Sequence, residues 1–110
     1  MKNLSNRKRE RRRARAAAGA ALLDRLVPGW WRIVRIRKLN INDVCYCVTG
    51  QLFGSYNEGL EQLHLTGNDA PVYGFTSNDE DEDPGMWDLT RAWKDEIRRR
   101  RYGDRVGRAS

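Results

Sequence analysis

WDLTRAWKDEIRRRR, residues 87–101, is the stretch whose reading decides the fold. Leu89, Ala92, Trp93 and Ile97 recur at the spacing that places them on one face of an α-helix. Carboxylates come early in the segment and the arginines Arg98–Arg101 come last. That order matches the helix macrodipole, which favours anions near the N-terminus and cations near the C-terminus. The segment therefore predicts an amphipathic helix over Trp87–Arg101, with one apolar stripe that must find a partner.

Working outward, AAAGAALLDRLV over Ala16–Val27 predicts a second helix, with Leu22, Leu23, Leu26 and Val27 as its apolar face. Pro28-Gly29 ends it. WWRIVRIRKLNI, residues 30–41, mixes partial alternation with one helical turn's spacing, and is expected to be an irregular or extended connection with a short helical piece. Asn42-Asp43 are N-cap candidates for a third helix. Its face would carry Ile41, Val44, Val48, Leu52, Tyr56, Leu60 and Leu63 at steps of three or four. Gly50, Gly54 and Gly59 each cost such a helix roughly 1 kcal/mol relative to alanine. They imply either close packing or an interruption before Tyr56. Thr66–Asp69 is a turn, and Ala70–Phe75 is a short loop expected to lay Val72, Tyr73 and Phe75 on the core. The fold class is mainly α: a small bundle of about three helices with an irregular or short extended Trp-Trp/Arg-rich connection. Residues 16–101 form a single helical domain, flanked by a disordered basic arm over 1–15 and a basic C-terminal tail over 102–110.

Charge is distributed very unequally. Residues 1–15 hold eight basic side chains against Glu10, a net +7, while the other 95 of the 110 residues hold 13 basic and 14 acidic ones, a net −1. Like charges repel and the arm has no apolar stripe, so alone it is expected to be disordered or a frayed helix. Arginine and alanine are good helix formers, and neutralising the charge would let the arm continue the next helix. Hydrophobic residues make up 39% of the chain, enough for one modest core, but no run is long and apolar enough for a membrane span. No secretory signal is read at the start, so a cytoplasmic location is expected. The core segment exceeds the roughly 40-residue limit below which staples are usually required. A second copy of the chain, giving a homodimer, or another protein would add buried surface to it.

Arg7, Lys8, Arg9, Arg11, Arg12, Arg13 and Arg15 are the leading candidates for contact with a polyanion. Guanidinium forks bind phosphates bidentately, and each neutralised phosphate releases counterions. The arm holds no aromatic residue, which suits backbone or shape recognition of DNA or RNA rather than base stacking. The plainer reading is a solubilising tail, or one that docks on an acidic protein. Arg32, Arg35 and Arg37 form a second basic patch beside Trp30 and Trp31. The tryptophans suit either partner contact or ordinary packing behind a Pro-Gly turn.

Two cysteines, Cys45 and Cys47, and one histidine, His64, fall short of a zinc ligand set, and core cysteines are the simpler assignment. SNDEDED, residues 77–83, lacks the spacing of a calcium loop. It reads as a solvated acidic loop, or as an internal mask for the arm. No phosphate-binding glycine loop or nucleophile elbow is present. A non-enzymatic role without cofactor or metal is expected.

The block C-x-x-G-Q-L-F-G-x-Y-x-x-G over Cys47–Gly59, with LVPGWW upstream and Tyr73–Phe75, Leu89-Thr90 and Trp93 downstream, resembles small uncharacterised proteins of actinobacterial phages. The resemblance spans roughly residues 26–100 and implies a phage origin without an activity. It makes the block a packing motif or a contact face around Gly50, Gly54 and Gly59, and it leaves the arginine arm outside. Two functions follow: nucleic-acid binding through the arm, or an interaction module that binds or inhibits a host or phage protein. A minor virion component is the third.

Overall fold

Two long helices frame the molecule, α1 over Leu4–Leu26 and α5 over Gly85–Ala109. Between them lie α2 (Trp30–Ile33), a 3₁₀ turn (Ile36–Lys38), α3 (Val48–Phe53) and α4 (Tyr56–Gln62). This computed structural model describes residues 4–77 and 85–109, and within them the chain is mainly helical with no strand. The acidic run after Ser77 lies outside the described residues.

Both long helices run in the same direction. Arg12 meets Asp88, Gly19 meets Trp93 and Asp24 meets Arg100, so contacts advance together along the two elements. The buried stripe of α1 runs Arg12, Ala16, Gly19 and Leu23 at steps of four, three and four, with Ala20 and Leu22 beside it. Leu89, Ala92, Trp93, Glu96 and Ile97 answer it from α5. A parallel pair needs a long return connection, and residues 27–84 supply it.

Trp93 lies at the centre. Its ring is fully buried, meets Trp30 edge-on at 5.7 Å between centroids and stacks on Phe75 at 5.5 Å. Its Nε1 donates to the Gly74 carbonyl at 2.6 Å, satisfying the one polar atom of the ring. Gly19 gives the ring its space: a methyl group there would fall 2.7 Å from Trp93 Cζ2 and would collide with the Tyr73 carbonyl. The 70–76 loop is held from its other side by Arg15, whose guanidinium donates to the carbonyls of Pro71 at 2.7 Å and Thr76 at 3.0 Å.

Of the arm over 1–15, residues 4–15 form the first half of α1, the continuation of the next helix that neutralised charge allows. Two inward-facing arginines explain the order. Arg12 is buried and lies 3.5 Å from Asp88, and Arg15 caps the loop carbonyls. The expected C-terminal tail is corrected, because α5 continues to Ala109. Arg101 donates to the carbonyls of Trp31 and Val34, and Asp104 pairs with Arg32 at 2.9 Å, so the last turns are tied to α2.

The third helix starts and ends differently from its expectation, while the interruption before Tyr56 that its glycines allowed is present. Asp43 Oδ1 accepts from the amides of Cys45 and Tyr46 and holds a turn there, so α3 starts only at Val48, capped by Cys47 Sγ. Gly54, at φ 101°, ends α3, and Ser55 Oγ accepts from the Glu58 amide to start α4. Ser55-x-x-Glu58 is the capping-box signature, legible in the sequence. Val44 lies in the turn before α3 and is exposed, while Val48, Leu60 and Leu63 are buried. Leu26 and Val72 are also exposed, each where its segment turns away from the core.

Asp24 fastens the other end of the helix pair. It accepts from Trp30 Nε1 at 2.9 Å and from Arg100 through two nitrogens at 2.9–3.2 Å. Arg100 hydrogen bonding holds the Asp24 carboxyl below its ordinary value of 3.8; partial burial opposes this, and the Trp30 bond adds to it. The same pair raises the Arg100 guanidinium.

Three substitutions report on stability. Alanine at a helical glycine normally gains up to about 1 kcal/mol. Gly103, with open space around its Cβ position, should show that gain. Gly19→Ala should instead lose about 1–3 kcal/mol through overpacking, read as a lower urea midpoint. Asp24→Asn should cost about 1 kcal/mol near neutral pH, the upper range for a half-exposed pair. Because the native pKa is depressed, that deficit is full above pH 3.8 and shrinks as the pH falls through the native value. Urea titrations of both chains across that range check it.

Candidate nucleic-acid interface

The cations of this chain divide into those engaged inside the fold and those presented to solvent. Arg12, Arg15, Arg100 and Arg101 belong to the first group, for the reasons given above. Arg7, Arg9, Arg11 and Arg13 are exposed on α1, and Lys8 is half-buried. The arm is thus a helical edge, with its helix register deciding which guanidiniums are offered. α1 carries no acid in its first turn. Cations crowd its N-terminal half, where the macrodipole disfavours them, and a bound anion would relieve that.

That edge does not stand alone. Arg9 and Arg13 of α1 line a cleft of about 130 Å³ together with Arg91, Asp88 and Asp95 of α5, and Arg9 lies 3.9 Å from Asp88. From there α5 continues the basic surface with Lys94 and Arg98, which line a hollow of about 390 Å³ with Trp87 and Thr90. Further along, Arg105 and Arg101 share an open hollow of about 540 Å³ with Trp31, Arg32 and Asp104. The Arg32 guanidinium lies 4.6 Å over the Trp31 ring, a cation–π contact that holds both at the rim.

The second expected patch is split by the structure. Arg32 joins α5 through Asp104, whereas Arg35 and Arg37 are exposed on the connection and line none of these three hollows. The tryptophans separate too: Trp30 is fully buried on Trp93, and Trp31 is half-buried at the rim of the hollow. Gly50 and Gly54 have reasons internal to the fold. A methyl group at Gly50 would collide with the Val44 carbonyl, and Gly54 takes the left-handed region at the α3 terminus. Gly59 likewise lets α4 close on Thr49. Gln51 completes the block by exchanging hydrogen bonds with the Arg35 backbone and donating to the Tyr46 carbonyl.

Cys45 is exposed and Cys47 buried, and no group of three or more metal-ligating side chains is assembled among the described residues. No helix among them is long and apolar enough to cross a membrane. The basic face of α5 was not anticipated, although its signal is in the sequence: Trp87, Arg91, Lys94, Arg98 and Arg105 keep helical spacing opposite the apolar stripe. Comparison with protein-family models, with curated proteins and with solved structures gives no match to this chain.

Proposed function

We propose that this chain is a non-enzymatic, phage-type accessory protein of the host cytosol that grips the backbone of DNA or RNA. One observation carries the reading: Arg9 and Arg13 of α1 line one cleft with Arg91 of α5, where three guanidiniums outnumber the two carboxylates of Asp88 and Asp95. Guanidiniums carried on a helical backbone spare the backbone ordering entropy that a disordered arm would lose on meeting phosphates. Parallel helices also bring two N-terminal halves to one end of the molecule, adding their dipoles to the attraction for an anion.

The competing reading as a protein-interaction module rests on the paired tryptophans and the glycine-bearing helix. Trp30, Gly50 and Gly59 are engaged in packing, so only Trp31 still speaks for it. Backbone binding accounts for more of the exposed residues.

Truncating the arm is a poor test, because residues 1–15 include Arg12 and Arg15 of the fold. Point substitutions avoid that. Arg13→Glu with Arg91→Glu should weaken binding to labelled DNA or RNA by tenfold or more in fluorescence anisotropy. The log–log salt slope should shrink by about 0.9 for each duplex phosphate that is no longer neutralised. Arg25→Glu, near the far end of α1, should change either quantity much less. Absence of binding by the native chain at roughly 50 mM salt, where phosphate contacts are strong, would overturn the reading.

A further inference from the structure

The solvent face of α5 combines cations with exposed aromatic rings in a way backbone gripping alone does not require. Trp87, Arg91, Lys94, Arg98, Tyr102 and Arg105 succeed one another at steps of four, three, four, four and three residues. That spacing keeps all six on one side of a 3.6-residue helix. Trp87 is 53% exposed and Tyr102 65%, although neither ring is needed by the core. A large aromatic surface left in water forgoes burial free energy, and here it happens twice on one face.

We propose that this face is a stacking platform for single-stranded nucleic acid: Trp87 and Tyr102 take bases, Arg91, Lys94 and Arg98 take the phosphates between them, and Arg105 takes one beyond Tyr102. The inference rests on the nucleic-acid reading above and narrows its substrate. A duplex keeps its base faces inside the stack and can offer an indole only its phosphates; a single strand offers bases and phosphates in alternation. The face sets three cations, Arg91, Lys94 and Arg98, between its two rings. At a rise of about 1.5 Å per residue, the two rings stand about 22 Å apart along the helix, room for several nucleotides. The hollow bounded by Trp87 and Arg98 has a volume of about 390 Å³, within the range of small-ligand sites. Asp95 is the one carboxylate there, and it lies 3.5 Å from Arg98, where it orients the guanidinium.

The test compares an oligothymidylate of about 20 nucleotides with a duplex of the same length, using the full chain and fluorescence anisotropy. The native chain should prefer the single strand. Trp87→Ala should lower single-strand affinity by roughly 5- to 100-fold, the range expected for removing one base–aromatic stack. Duplex affinity should change by less than about twofold, since phosphate contacts are kept. Tyr102→Ala should act in the same direction, and Trp87→Phe should recover most of the loss. Both rings are exposed, so the variants should retain the native helical circular dichroism. Equal binding of both nucleic acids, with neither alanine variant discriminating between them, overturns the platform and leaves backbone gripping intact. Failure of the native chain to bind either one overturns both.

Discussion

Trp93 is fixed by three constraints that have to be met together. Its ring needs the missing side chain at Gly19, its Nε1 needs the Gly74 carbonyl, and its faces need Phe75 and Trp30. They come from α1, α2 and the 70–76 loop, so seating one indole sets the register of α1 on α5 and the position of that loop. An unpaired indole N–H in a dry interior would cost a few kcal/mol, which makes the Gly74 bond a condition of burial. The two charged clasps, Arg12 with Asp88 and Asp24 with Arg100, then hold the pair at its ends.

Parallel packing also determines what happens to the arginines. In a helix every third or fourth residue faces the same way, so a run as dense as RKRERRR cannot point all its charges outward once one face is buried. Arg12 is turned inward by this geometry and finds Asp88; Arg15 follows it and finds loop carbonyls. The inward arginines give the arm its order, and the outward ones are presented from a helical edge. Structure and charge presentation therefore arise from the same periodicity.

Much of this was legible beforehand where the pattern was periodic. The stripe of Leu89, Ala92, Trp93 and Ile97 is buried as its spacing implies, and Pro28-Gly29 separates α1 from α2. Less legible were features that depend on partners distant in sequence. Nothing local to residues 4–15 reveals that Asp88 will neutralise Arg12, and without that partner a basic segment reads as disordered. The same holds for the last turns of α5, which are ordered by carbonyls of Trp31 and Val34. At Asn42-Asp43 the error was of another kind. Asp43 forms its local hydrogen bonds to Cys45 and Tyr46 as an N-cap would, yet they close a turn and not a helix.

The basic face of α5 shows why net charge by segment misleads about a surface. Summed over residues 16–110 the charge is close to zero, because acids in one stretch cancel bases in another. A ligand meets local potential rather than the sum, since at physiological salt charges more than about 8 Å apart are largely screened from each other. What matters is therefore which charges share a face. Helical periodicity gathers Arg91, Lys94, Arg98 and Arg105 on one side, and the parallel partner sets Arg9 and Arg13 beside them. Polarity that looked confined to an N-terminal arm becomes a property of the helix pair, and the fold that buries Trp93 is what assembles it.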